Sequence, residues 1–184
     1  MSLFANLPSI LYSIPRNPIT AVGLPLTLGL LSGRSTREVV QSQWYHCLYT
    51  PPGRPPARVF PVVWPLLYVA MGYASHLAVK AYDSSYSAST RNEISLGLGL
   101  YYTQLAFNCL WTPLFFNYKQ VGWALIDSIL LAGTSFYMTK TLDAPTSSKT
   151  TYLLLPYCAW LSFATYLNGG IWWLNRNRTL NKDM

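Results

Sequence analysis

The chain has 184 residues, with 13 Lys or Arg against 6 Asp or Glu for a formal net charge of +7, yet only 10% of its residues are charged while 51% are hydrophobic and 15% aromatic. A soluble domain averages about 25% charged residues, so this chain lacks the polar surface to face water all round, and its apolar content excludes a disordered chain. Cys47, Cys109 and Cys158 are an odd set with two members inside apolar runs, which argues against a disulfide scaffold and leaves the membrane proteins.

The mean hydropathy is only +0.20, but that scale penalises Trp, Tyr and Pro, and 7 Trp with 14 Tyr suit a protein touching two membrane interfaces. Residues 1–15 have no basic start and include Pro8 and Pro15, so no cleavable signal is expected. The charges then bound five quiet stretches, 18–33, 59–79, 94–118, 120–139 and 150–175, with Asp127 the charge inside them. Four of these hold about 20 residues or more, roughly the 30 Å of helix that a bilayer core requires. The first is short and must borrow flanking residues or thin the membrane.

Lipid offers backbone amides no partner, and nothing in the chain alternates as a barrel strand would, so helices are required. The expected fold is an all-α membrane protein, a single domain over 1–184 built as a five-transmembrane-helix bundle. Pro25, Pro65, Pro113 and Pro156 put a proline in each of four spans, predicting kinks that leave room between helices. The connection 34–58 is long, aromatic and proline-rich, and is expected to lie over one end of the bundle as a lid. Lys and Arg are more numerous on the side bearing this loop, the third loop and the tail, including Lys182, which favours a cytosolic C terminus.

Within the spans, helical spacing selects faces. Gln104, Asn108 and Trp111 at i, i+4 and i+7 share one stripe, while Ser95, Gly99 and Thr103 form a small-residue row on another side. Trp64 pairs with Tyr68, and Ala70, Ala74 and Ala78 form a smooth ridge. Trp160, Phe163, Ala164, Leu167 and Asn168 form a third stripe. An aromatic-lined cavity with a few amides suits a flat, greasy ligand carrying few polar groups, although aromatics at this spacing also serve simply as packing. Gly29 and Gly33 make a G-x-x-x-G helix-contact motif. Asp127 is a functional candidate, or a carboxyl that is neutral or bonded to its neighbours.

No P-loop, G-x-G-x-x-G, H-E-x-x-H or C-x-x-C occurs, and His46 beside Cys47 with an isolated His76 makes no metal set, so no metal and no required cofactor are expected. The basic residues are scattered over both membrane sides instead of gathered in one patch, which argues against a nucleic-acid partner.

The strings WYHCLYTPPGRPP (44–56), VVWPLLYVAMGYASHL (62–77), QLAFNCLWTPLFF (104–116), GWALID (122–127) and LPYCAWLSFATYLNGGIWWLN (155–175) resemble the translocator protein family, the peripheral benzodiazepine receptors related to bacterial tryptophan-rich sensory proteins. The resemblance runs from about residue 19 to 175, in order. It implies a five-helix bundle, often dimeric, in the outer mitochondrial membrane of most eukaryotic members. It also implies a pocket under the first loop that takes porphyrins and benzodiazepine-type or isoquinoline ligands, and cholesterol in animal members. Carried over by motif, Trp64, Tyr68, Gln104, Asn108, Trp111, Trp123, Trp160, Ala164 and Leu167 would line it, and Phe163 joins them from the face analysis.

The expected function is thus a receptor or carrier for tetrapyrroles, porphyrin or haem, and other lipophiles such as sterols, with membrane lipids and a second copy of the chain as partners. The alternative is a light-dependent porphyrin-degrading enzyme using Trp64 and Trp160, the match to two tryptophans implicated in that reaction in bacterial relatives. A structural or conductive bundle is a further one. Two departures stand out. Gly169, Gly170 and Trp173 replace the tyrosines and arginine common in the animal cholesterol motif, and Tyr166 lies too far from Arg176 to complete it. Gly53 and Arg54 stand where many relatives have a Trp-His or similar pair, so the lid would close differently.

Overall fold

The structure, a computed structural model, describes residues 7–178; residues 1–6, part of the segment read for a signal, and Lys182 of the tail lie outside the described residues. The described chain is helical, without a strand. Five long helices carry it: α2 (Pro18–Val40), α4 (Phe60–Ser84), α5 (Ala88–Thr112), α6 (Val121–Asp143) and α7 (Lys149–Asn175), preceded by the short α1 (Ser9–Arg16) and interrupted by the one-turn α3 (Gln43–His46) in the first connection. Two helical stretches, Ala57–Ser84 and Val121–Thr146, have the length and apolarity to cross a membrane, and Pro18–Gly33 is a shorter apolar helix.

Local chemistry sets the boundaries. Asn17 caps α2 by accepting the Ile19 N–H at 2.9 Å, with Pro18 in the first turn where its missing N–H costs nothing. The helix then runs to Val40, so the first seven residues assigned to the long loop are helix and the covering segment is shorter than expected. The reason is that 34–40 contains neither glycine nor proline beyond Gly33, and nothing local stops the helix until Gln41 and Ser42. Ser87 caps α5 through the Thr90 N–H. At the other end of α5, Pro113 opens a wide π turn (Pro113–Asn117) that Lys119, at φ 52°, closes. Pro113 therefore marks a helix end, whereas Pro25, Pro65 and Pro156 lie inside helices.

The helices pack as a ring in the order α2, α4, α7, α6, α5, closed by α2 against α5 and crossed by contact between α4 and α5. Met71, Ala78, Val79, Ile94, Leu98 and Tyr157 are fully buried at its centre. The small-residue row of α5 is consumed inside the chain: Ser95 accepts the Tyr12 hydroxyl at 2.9 Å, and Gly99 is buried. Of the glycine pair on α2, Gly29 lies under the Tyr68 ring, where a Cβ would overlap it, while Gly33 has open space. The outer face is apolar and exposed, with Val62, Leu66 and Val69 on α4, Ile126, Ile129, Leu130 and Phe136 on α6, and Tyr152 and Leu155 on α7.

Candidate functional site

All five long helices border a cavity of about 950 Å³ at the end of the bundle that holds the first connection. The C-terminal halves of α2, α5 and α7 and the N-terminal halves of α4 and α6 meet there, as an up-and-down bundle requires. The segment from Gln41 to Pro56 crosses this end. Trp44, buried, meets Phe115 edge-on at 6.2 Å, and Tyr45 packs 6.0 Å from Phe116. The far side of the segment is fastened to α7. Asn175 donates to the Tyr49 carbonyl at 2.9 Å and accepts the Tyr49 N–H at 3.1 Å, Tyr166 donates to the Pro52 carbonyl at 3.1 Å, and Pro51 sits directly on Gly170. A side chain at Gly170 would overlap Pro51, so the glycine that departs from the animal pattern serves here to seat the segment.

Six of the ten residues selected from the sequence line the cavity: Trp64, Tyr68, Asn108, Trp111, Ala164 and Leu167. Trp64 and Tyr68 stack at 5.6 Å with their planes 28° apart, and Trp111 stacks on Phe115 at 5.0 Å and 22°. These are broad aromatic surfaces for a flat ligand. Below them runs a hydrogen-bonded chain. Tyr68 donates to Asn108 Oδ1 at 2.8 Å, Asn108 Nδ2 donates to the Tyr157 hydroxyl at 3.2 Å, and Tyr157 donates to Gln104 Oε1 at 2.6 Å. A second chain links Trp111 Nε1 to Asn168 Oδ1 at 2.9 Å, and Asn168 Nδ2 to the Val121 carbonyl at 3.0 Å. The amides thus fix the aromatic rings in place, because each buried polar group must be satisfied within the protein.

The other four selected residues do not reach the cavity wall. Gln104 is fully buried beneath Tyr157 and Met71, where it holds Tyr157 and does not line the cavity. Trp160 is edge-on to Trp64 at 6.5 Å and to Phe60 at 5.8 Å, supporting both wall residues, and Phe163 packs 5.7 Å from Trp160. Trp123 is 64% exposed. The inward stripe of α6 is Ala124, Asp127, Ser128, Leu131 and Ser135, which turns Trp123 outward with Ile126 and Leu130.

Several lining residues escaped the sequence reading. Phe115 and Phe116 extend the Trp111 stripe by one turn, a signal that helical spacing contained. Phe60 and Pro61 enter because α4 begins just before Trp64. Tyr45 and Arg54 come from the first connection, where no periodicity foretells direction, and Arg37 comes from the last turns of α2, a stretch the sequence reading assigned to that connection. Asp127 is buried at 4% exposure, and neither carboxyl oxygen has a hydrogen-bond partner among the described residues. Among the described residues no group of His, Cys, Asp and Glu is arranged to hold a metal, and the three cysteines are unpaired.

Comparison with known proteins places this architecture. The profile of the TspO/MBR family matches residues 21–174. The Bos taurus protein named translocator protein is 39% identical over 163 residues, covering 87% of this chain and 92% of the relative. The translocator protein homolog of Schizosaccharomyces pombe is 40% identical over 165 residues, 89% of this chain and 94% of its own length. A bacterial relative, the tryptophan-rich sensory protein of Cereibacter sphaeroides, is 33% identical over 166 residues, 87% and 90% of the two chains. With its apolar helices, its ring of five and a family match that spans nearly all of the bundle, the chain is a membrane protein that belongs to the TspO/MBR family.

Proposed function

We propose that this chain is a membrane-embedded receptor or carrier that binds porphyrins and comparable flat lipophiles in the cavity between its helices. The observation that carries the reading is the cavity of about 950 Å³ walled by Trp64, Tyr68, Trp111 and Phe115 and fixed from below by the Asn108 and Asn168 chains. Its volume lies at the upper end of the roughly 300–1,000 Å³ typical of small-molecule sites, and its walls are mostly apolar. In this reading all five long helices cross the bilayer. The exposed Ile126, Ile129, Leu130 and Phe136 of α6 support that placement, since so much contiguous apolar surface suits lipid and not water. The outer mitochondrial membrane is the location that the resemblance to eukaryotic translocator proteins implies. A homodimer would have to use a face other than the α5 small-residue row, which is already occupied within the chain.

The experiment is a titration of protoporphyrin IX into the protein in nanodiscs, followed by tryptophan quenching in the dark and then under illumination. Saturable dark binding with an unchanged porphyrin spectrum supports the receptor or carrier. Absence of saturation removes the reading. Light-dependent porphyrin breakdown is the second reading, favoured by the edge contact of Trp64 with Trp160. It predicts a product band that grows only under light and is lost in Trp64→Phe.

A further inference from the structure

At the end of the bundle opposite the cavity, the last turns of α4 and the C-terminal end of α1 border a groove of about 500 Å³, lined by Arg16, His76, Val79, Lys80, Asp83 and Ser84. Its polar groups are fixed relative to one another. Arg16 Nε and Nη2 donate to Asp83 Oδ2 and Oδ1 at 3.0 and 2.9 Å, and His76 Nδ1 donates at 2.8 Å to the carbonyl of Pro15, the residue before Arg16. Lys80 stands between them on α4, four residues after His76 and three before Asp83, so these three side chains share one helix face.

These contacts leave donors and acceptors over. Arg16 keeps its Nη1 N–H groups, and the Lys80 ammonium makes no ion pair among the described residues. Because a carbonyl only accepts, the His76 proton bonded to Pro15 sits on Nδ1, and Nε2 of the neutral ring is an acceptor. Each Asp83 oxygen takes one Arg16 N–H and retains a lone pair. Two cationic donors thus stand beside two acceptors, one of them anionic, the complement of a phosphate linked closely to a primary ammonium.

The surface leading to the groove is apolar. Val62, Leu66, Val69 and Tyr73 are exposed on α4, and at 100° per residue they form one stripe that continues through His76 to Lys80. From Val62 to Tyr73 the stripe is roughly 16 Å long, about half of a 30 Å hydrocarbon core and so the depth of one leaflet. The groove lies in the last turns of a helical stretch, Ala57–Ser84, that is long and apolar enough to cross a membrane. That is the depth of a lipid headgroup.

We infer that the groove seats the headgroup of an ethanolamine phospholipid: the phosphate on Lys80 and Arg16, the ammonium on Asp83 and His76 Nε2, and an acyl chain along the stripe from Val62 to Tyr73. The inference needs α4 to cross the bilayer and is independent of what the cavity takes. A choline headgroup has no N–H to give the two acceptors, and a glycerol headgroup brings Asp83 no positive charge.

The test is a competition. The full chain, purified in dodecyl maltoside and stripped of lipid, is offered equimolar dioleoyl phosphatidylethanolamine, phosphatidylcholine and phosphatidylglycerol, and single-lipid adducts are counted by native mass spectrometry. The wild type should take the ethanolamine lipid over either rival by about 5-fold or more. Asp83→Asn should abolish the preference over choline, with His76→Phe between it and wild type, whereas Lys80→Gln should weaken all three lipids and keep their order. Equal uptake by the wild type, a preference for phosphatidylglycerol, or a ratio untouched by Asp83→Asn would overturn the assignment. So would full occupancy in Lys80→Gln. Displacement of bound lipid by millimolar soluble phosphoethanolamine would show that the stripe holds no acyl chain and overturn the lipid as occupant.

Discussion

The two ends of this bundle are built from the same five helices and differ in what stands between them. At the end opposite the cavity, α1 closes the ring. Tyr102 donates to the Leu11 carbonyl at 2.9 Å, the His76 ring nitrogen lies 2.8 Å from the Pro15 carbonyl, and Arg16 grips Asp83 through two contacts at 2.9 and 3.0 Å. Much of the interior there is small or aliphatic, with Tyr12 packed among it against Tyr82 and hydrogen-bonded to Ser95. Ala74, Ala78, Val79, Ile94 and Leu98 are at most 1% exposed, and Gly97 lets Leu142 lie against the α5 backbone. At the cavity end the helices face one another through Trp64, Tyr68, Trp111 and Phe115, and Pro65 sits on the wall. Flat rings stack in pairs and cannot interdigitate as branched aliphatics do, so a space remains. Close packing and open space are therefore divided along the long axis of the molecule.

Substitutions should separate the two ends. The largest effect is expected from Gly97→Leu. Its side chain would overlap Leu142 in the closed half, costing about 3 kcal/mol or more, seen as a large fall in melting temperature or in folded yield from membranes. A melting curve within 2 °C or so of wild type would show that the closed half is not close-packed. The counterpart at the cavity end is Ala164→Phe, which fills space instead of invading a packed contact. It should weaken porphyrin binding at least about 10-fold with little change in melting, the reverse of the Gly97 result.

Asn108→Ala tests the join between the two functions. Tyr68 and Tyr157 would each lose a partner, costing about 1–3 kcal/mol, and the loosened Tyr68 ring should lower ligand affinity as well. A loss of affinity with unchanged stability would mean that Asn108 contacts ligand and does not brace the wall. Asp127→Asn should leave stability level or slightly raised, because the native carboxyl is buried without a hydrogen-bond partner among the described residues. A clear fall in melting temperature would show that the carboxylate has a role its surroundings do not reveal. The smallest effect belongs to Arg16→Gln, whose ion pair with Asp83 is nearly half exposed and contributes about 1 kcal/mol or less.

Much of this molecule is legible in the order of its residues. Long apolar runs bounded by charges predicted the long helices, because a helix is the only open-ended element that satisfies its own backbone in lipid. Helical spacing also put Trp64 with Tyr68, and Asn108 with Trp111, on common faces, and these do line one cavity. Sequence alone therefore determined which residues of one helix share a face, since that follows from a fixed rotation per residue.

Tertiary structure decided which face points inward, how deep a residue lies and what crosses the end of the bundle. Trp123 and Ala124 are neighbours in sequence, yet one is 64% exposed and the other fully buried, because α6 rests on α5 and α7 through its small residues. Gln104 and Asn108 share a stripe, but one turn along the axis separates a buried brace from a cavity wall. Arg37 and Arg54 lie 17 positions apart, the first on the last turns of α2 and the second in the irregular connection that follows. Only the path of residues 41–56, fastened to α7 at Asn175, Tyr166 and Gly170, brings Arg54 to the cavity that Arg37 also lines. Depth along a helix and the direction of an irregular connection depend on contacts between segments distant in the chain, and a local pattern carries no record of them.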